Sequence, residues 1–268
     1  MLTFEALGTG WKIKANDFDV VAEKNKILSV VTEFENNYSR FKKTSYVGRL
    51  NTGSSINQPP SELYEMLEFA YRAYQNTQGM FNIFIGATLE NSGYGLKNNN
   101  KFSNAFSGAI SFSEQEIKLT GEHSIDLGGF GKGWLIDKLA LILQDKSDNF
   151  VINGGGDMYV KGKKIVQIES TGHKVGVEDQ AVASSSAAAR AWRFGGVQHT
   201  HIPSAQSEHQ ASVIAGDAKT ADMLATVSLL SNNAQLKSLE KSYKAKIMLV
   251  QGSDIIYCSK AEFFNMNI

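Results

Sequence analysis

The sequence predicts an α+β fold in which helices pack outside a largely antiparallel sheet. Three observations predict it. Apolar residues recur at helical spacing in several stretches, short strand-like runs lie between those stretches, and no internal repeat or Pro-, Gly- or Ser-rich linker divides the 268 residues. The expectation is therefore a single domain over residues 1–268.

Residues 1–15 alternate as a first strand pair. Val20, Ile27, Val31, Phe34 and Tyr38 then follow at three-to-four and seven spacing, which marks the apolar face of a helix lying on a sheet. Pro59 and Pro60 stop the chain, and Ser61 N-caps a second helix carrying Leu63, Leu67, Ala70, Tyr71 and Tyr74, which Gly79 ends. Residues 97–107, polar and rich in Asn and Ser, form a surface loop, with short strands after it at 109–112 and 116–119. A third helix starts near Gly131 and carries Leu135, Ile136, Leu139 and Leu143; a strand at 150–153 leads from it into Gly154-Gly155-Gly156. Later strands fall at 164–169, 173–177, 212–215, 246–250 and 255–258, and helices at 220–230 and 233–243.

Composition narrows the class. Apolar residues make up 42% and charged residues 20%, the profile of a folded globular chain. Lys plus Arg equals Asp plus Glu at 27 each, so no net field draws nucleic acid or an anionic membrane. Any anionic ligand must be held by a local site. Cys258 is the single cysteine, which excludes an internal disulfide framework and a Cys-based structural zinc. No stretch approaches the ~20 apolar residues of a membrane span, and the N-terminal segment lacks an apolar signal core, so the expected location is the cytoplasm.

Four segments carry candidate chemistry. Asp126-Leu127-Gly128-Gly129-Phe130-Gly131-Lys132-Gly133 closes a strand-like stretch and opens a helix, where glycines allow close backbone approach to a phosphate and Lys132 adds a full charge. A P-loop is excluded, because Asp126 and Gly133 stand where it needs Gly and Ser or Thr, and no βαβ unit supports a dinucleotide fingerprint. A plain glycine turn at the start of a helix explains the segment equally well. Asn153-Gly154-Gly155-Gly156-Asp157 reads first as a strand-to-strand turn that Asp157 caps, and second as a ligand contact. Asp222 and Thr226 sit four apart on one helix face, either as an ordinary polar pair or as two oxygen donors for a hard cation. Gln198-His199-Thr200-His201-Ile202-Pro203 sets two histidines in a loop; without a third ligand they suit a general base or a polar loop better than zinc.

Taken in order, these pieces resemble the FAD:protein FMN transferase family, the ApbE-like proteins. The resemblance runs from Leu7-Gly8-Thr9 through Ser39-Arg40-Phe41 with Arg49 and Asn51, Gly79-Met80-Phe81-Asn82, and the 126–133 segment with Asp137. Residues 153–157, 199–203 and 220–226 complete it. It implies an ApbE-like fold related to T-fold proteins, with FAD bound in a cleft and Mg2+ at its pyrophosphate. It also implies transfer of FMN by a phosphoester bond to a Thr or Ser of an acceptor flavoprotein, with release of AMP. By the same resemblance Asp222, Thr226 and the Gly129 carbonyl become metal ligands. Leu7, Phe41, Met80, Phe81, Asn82, Asp126, Lys132 and His201 become flavin or nucleotide contacts, and His199 the group that helps activate the acceptor hydroxyl.

The chain departs from the family pattern at three places. Asn82 and Ile202 stand where the family has Asp, and Ser184 to Arg190 replace the usual Thr-Ser-Gly-x-x-x-Arg stretch. Two rival functions follow, an FAD pyrophosphatase in which water attacks and a flavin-binding protein without turnover. Retention of Asp222, Thr226 and His199 speaks against the second. Ile85-Gly86-Ala87-Thr88 has the look of a flavinylation acceptor, but it sits in a structural segment of the family, so Thr88 is read as buried or capping.

Overall fold

The computed structural model describes the chain except for residues 96–100, 169–170, 204, 207, 260–263 and 266–268, and at 189–190 and 264–265 it describes the backbone alone. The chain opens with β1 (Leu2–Ala6), β2 (Thr9–Ala15) and α1 (Lys24–Tyr38), followed by α2 (Tyr46–Asn51), β3 (Ile56–Asn57), α3 (Ser61–Asn76) and α4 (Gly86–Asn91). Next come β4 (Ile110–Phe112), β5 (Glu116–Leu119), α5 (Gly131–Leu143), β6 (Phe150–Gly154), β7 (Asp157–Gln167) and β8 (Lys174–Ser186). The last part holds β9 (Ala191–Phe194), β10 (Val197–Thr200), β11 (His209–Ala215), α6 (Ala218–Ser228), α7 (Asn233–Tyr243), β12 (Lys246–Gln251), β13 (Asp254–Cys258) and β14 (Phe264–Asn265). They group into two compact units, residues 1–31, 129–191 and 200–268 in the first, and 32–128 and 192–199 in the second.

The first unit is built on a nine-stranded antiparallel sheet in the order β1-β2-β6-β7-β8-β11-β12-β13, with β14 paired to β8. Alternation fixes its faces: Trp11 and Ile13 on β2 and Phe150 and Ile152 on β6 are buried, while their neighbours along each strand are more exposed. The two-residue turn between β1 and β2 has Leu7 at φ 51° and Gly8 at φ 72°, the positive-φ pair that a tight hairpin requires.

α5 and α6 pack on each other and on the sheet, α5 against β6 and β7, α6 against β8 and β11. Their closeness depends on Gly133, where a Cβ would stand 2.2 Å from the Ala218 carbonyl oxygen and 2.6 Å from Lys219 Cα. Both obstacles are backbone, so neither can swing away. Gly133→Ala should cost about 1–3 kcal/mol in chemical denaturation; a variant as stable as the wild type would mean that the two helices do not approach this closely.

The start of α6 is held by two carboxylates. Asp217 caps it through Thr220 N at 2.9 Å, and Asp137 on α5 accepts from Ala218 N at 2.7 Å and Lys219 N at 3.0 Å. Asp137 is pushed up to about 6, chiefly by burial, against the pull of Lys219 and those two N–H groups. Because the folded value lies above the ordinary 3.8, its contribution to stability is complete below about pH 4 and is lost as pH rises through about 6. In melts from about pH 4 to 8, the wild type should therefore lose ground against Asp137→Asn between about pH 4 and 6 and no further above that; a gap that does not change with pH would refute the assignment.

The second unit holds α2, α3 and α4 with a three-stranded antiparallel sheet, β3-β5-β4. α3 buries Leu63, Leu67 and Ala70 of the stripe read from its spacing together with Met66 and Ala73, while Tyr71 and Tyr74 are half-buried at its margin. Asn51, at the end of α2, clamps Ile125 by both backbone groups, donating to its carbonyl at 2.9 Å and accepting from its N–H at 2.8 Å. That clamp sets the stretch leading to Asp126.

The α+β reading and its antiparallel sheet stand, and the helix at 233–243 falls where its spacing places it. Differences concentrate in β7 and β8, which run far beyond the short strands read at 164–169 and 173–177; of the former, Glu169 lies outside the described residues. Of the loop read at 97–107, residues 97–100 also lie outside them.

Candidate functional site

In the first unit, the turn before α5 and the turn between β6 and β7 both deliver charge to one place. Lys132 lies in the first turn of α5, and its Nζ donates to Asp157 at the start of β7 and to both oxygens of Asp222 on α6, at 3.1 and 3.2 Å. Backbone N–H groups fix the two carboxylates. Ser184 N donates to Asp157 Oδ1 at 3.1 Å, and Gly133 N to Asp222 Oδ2 at 3.1 Å. Both aspartates are buried, and Lys132 is 19% exposed. One turn beyond Asp222, Thr226 Oγ1 lies 3.3 Å from Ser185 Oγ.

The electrostatics follow from two carboxylates sharing one ammonium. Burial most strongly raises Asp157, and the Asp222 carboxylate adds to it against the hold of Lys132, so Asp157 lies above the ordinary carboxylate range. For Lys132 burial is again the largest influence, and it disfavours the charge, but the two carboxylates outweigh it and hold the ammonium above its ordinary value. Lys132 therefore stays charged at neutral pH. Every other polar side chain here offers oxygen: the Asp157 and Asp222 carboxylates and the Thr226 and Ser185 hydroxyls. That chemistry suits a hard divalent cation. Among the described residues no three or more His, Cys, Asp or Glu side chains gather around one point, so a cation here would rely on hydroxyl, backbone and ligand oxygens to complete its shell.

The second unit brings together a different set. Arg40 is buried and forks between two carboxylates, Nη1 to Asp126 Oδ2 at 2.8 Å and Nη2 to Glu90 Oε1 at 3.0 Å, with the Gly86 carbonyl at 3.2 Å. Ser124 Oγ also donates to Glu90 Oε1, at 2.6 Å, whereas Glu90 Oε2 is buried with no partner among the described residues. The other oxygen of Asp126 accepts from Gly128 N, so this carboxylate ties Arg40 to the glycine turn. The Arg40 guanidinium lies 5.7 Å from the centre of the Phe41 ring, which is half exposed.

An aromatic series continues from Phe41. Its ring meets Tyr94 edge-on at 5.7 Å, Tyr94 stacks on Trp192 at 4.8 Å, and Trp192 stacks on the His199 imidazole at 6.1 Å. Trp192 is anchored by its indole N–H to the Ser92 carbonyl at 2.6 Å. His199 and Thr200 belong to β10 rather than to a loop, and His201 directly follows that strand. The reason is local: β9 and β10 pair across the tight turn at Gly195 and Gly196, both at positive φ.

The structure thus gathers Lys132, Asp222 and Thr226 in one group, links Phe41 to Asp126 through Arg40, and sets His199 against Trp192. Other sequence candidates have local settings of their own. Asn82 spends its side chain on Phe84 N at 2.9 Å and the Ser103 carbonyl at 2.8 Å, Phe81 is buried, and Met80 lies in the turn before it. Leu7 forms the β1–β2 turn, next to a depression of about 520 Å3 whose lining includes Thr9, Trp11, Asn153, Gly155 and Gly156. Gly129 sits one residue before the N-cap position of α5. Three residues escaped sequence reasoning. Asp157 is read from the sequence as a turn cap or part of a ligand-contacting corner rather than as an ion-pair partner of Lys132, and Arg40 and Glu90 have no local pattern that announces a buried ion pair.

The model of the ApbE family matches residues 7–249. An ApbE protein from Thermotoga maritima superposes with a TM-score of 0.83 at 20% identity, covering 97% of this chain and 96% of that one. The flavin transferase ApbE from Vibrio cholerae gives 0.76 at 19% identity and 97% coverage of both chains. The flavinyl transferase ApbE of Pseudomonas stutzeri gives 0.77 at 15% identity, covering 98% and 96%. No curated protein matches by sequence.

Proposed function

The chain belongs to the ApbE family, and from that premise we propose that it is a flavin transferase, with both compact units forming one ApbE domain. FAD is the substrate, and the FMN half passes to a Thr or Ser hydroxyl of an acceptor flavoprotein. The acceptor oxygen forms a new bond to the phosphorus that carries the flavin side, the bond from that phosphorus to the AMP oxygen breaks, and AMP leaves. The observation that carries this reading is the ionic group of Lys132, Asp157 and Asp222 at the glycine-rich start of α5, with Thr226 one turn further along α6, an oxygen-rich cluster with one cation suited to a pyrophosphate.

The proposed roles follow residue by residue. Asp222, Thr226 and the Gly129 carbonyl would hold Mg2+, which when bound supplies charge neutralisation at the phosphates. The Lys132 ammonium stays charged at neutral pH and can turn from its carboxylates to a phosphate oxygen. Asp126, oriented by Arg40, together with Phe41, Leu7, Met80, Phe81, Asn82 and His201, is assigned to the flavin and nucleotide. His199 receives the acceptor proton, a general-base task worth about 10²–10⁴ in rate when well placed.

The test is intact-mass spectrometry of a Thr-containing acceptor domain incubated with this chain, FAD and Mg2+. The expected result is an FMN adduct on the acceptor with an equivalent of AMP released. Free FMN and AMP without an adduct would replace the reading with a pyrophosphatase, and FAD that binds tightly but stays intact would replace it with a flavin-binding protein.

A further inference from the structure

We propose that Lys132 is the site's own stand-in for the divalent cation: without ligands its ammonium occupies Asp222, and Asp157 is the second carboxylate onto which it withdraws when a cation takes Asp222. The inference rests on the metal-site reading given above. Lys132 Nζ lies 3.1 and 3.2 Å from the two Asp222 oxygens, so the ammonium covers both positions from which that carboxylate would hold a cation. The same Nζ also donates to Asp157. One ammonium is thus shared by two acceptors, and only one of them is an assigned metal ligand.

What can move is set by the tethers. Asp157 Oδ1 is held by Ser184 N on β8, and Asp222 Oδ2 by Gly133 N on α5, so backbone donors keep both carboxylates in place. The lysine is the adjustable member, a point charge on a flexible four-carbon stem. Charge counting gives the consequence. Two carboxylates and one ammonium sum to −1, and adding a divalent cation takes the group to +1, an unfavourable excess in a buried place unless phosphate arrives with it. The cation must therefore displace Lys132 from Asp222, and it binds weakly until a diphosphate supplies negative charge. Asp157 makes the displacement feasible, because it leaves the ammonium paired after it lets go of Asp222.

The experiment follows Mn2+ binding to the full chain without nucleotide, with free Mn2+ read by electron paramagnetic resonance. Lys132→Gln should bind Mn2+ at least about tenfold more tightly than the wild type, and Asp157→Asn about tenfold more weakly. In a Lys132→Gln background, Asp157→Asn should change affinity by less than about threefold, since there is no ammonium left to park. Equal effects of Asp157→Asn in both backgrounds would reduce its role to a through-space charge and overturn the proposal, as would unchanged or weaker binding by Lys132→Gln. Asp222→Asn separates the two layers of inference. If it abolishes Mn2+ binding while Lys132→Gln changes nothing, the competition fails and the metal site stands; if it leaves binding intact, the metal-site reading itself fails. Should circular dichroism show that Lys132→Gln does not fold, Asp157→Asn alone decides, and unchanged or tighter binding overturns the proposal.

Discussion

Asp222→Ala should lower FMN transfer at least about a thousandfold while leaving the chain folded to within about 1–2 kcal/mol of the wild type. The two halves of this expectation have different causes. Activity falls because the one carboxylate assigned to the metal disappears, and with it the site's means of neutralising charge at the pyrophosphate. Stability holds because the wild-type group carries two carboxylates for one ammonium, and removing Asp222 leaves Lys132 and Asp157 as a neutral pair. The remaining cost is one backbone donor, Gly133 N, which loses its acceptor. Single-turnover transfer measured by intact mass, alongside chemical denaturation, checks both. Transfer within tenfold of the wild type would remove Asp222 from the metal site, and gross unfolding would show that the group is structural first.

Arg40→Ala should destabilise the second unit by about 3–5 kcal/mol, the cost of breaking a buried ion pair from one side. The guanidinium is 5% exposed and Glu90 2%. Without Arg40, Glu90 keeps only the Ser124 hydroxyl on one oxygen and has no partner among the described residues on the other. An unpaired buried carboxylate is the most expensive residue of that loss, so Glu90→Gln introduced into the Arg40→Ala chain should restore part of it. Urea denaturation of the three chains measures the difference. Arg40→Ala within 1 kcal/mol of the wild type, or no recovery in the double variant, would contradict this account. The same substitution frees Asp126 from its orienting partner, so FAD affinity should weaken along with stability.

How much of this was legible in the sequence depends on whether the signal is local. The helices α3 and α5 follow from periodic apolar positions, with Gly131 at the start of the second, and α7 lies where the sequence sets a helix at 233–243. β8 carries no such signal over its second half. Ala181, Ala183, Ser184, Ser185 and Ser186 are poor strand formers, and their small size is explained only by α6 lying against that strand. Tertiary packing outweighed propensity there. The site divides in the same way. Asp222 and Thr226 are readable as a pair because four residues on a helix share a face, whereas Asp157 and Lys132 meet across a sheet and a helix turn, and no spacing announces it. Glu90 is the extreme case, a buried acid on the short helix α4 with an exposed neighbour at Asn91, distinguishable from a surface residue only once Arg40 is seen beside it.

The separation of Lys132 from its two partners along the chain, 25 residues to Asp157 and 90 to Asp222, also bears on the order in which the protein takes shape. Contacts that close long loops are entropically late, since the intervening chain must be organised before they can form. The ionic group is accordingly expected to form late, so that Asp222→Ala should speed unfolding more than it slows folding in stopped-flow measurements. On that expectation the ionic group would double as a latch, doing little to help the chain fold but slowing its unfolding once it is complete.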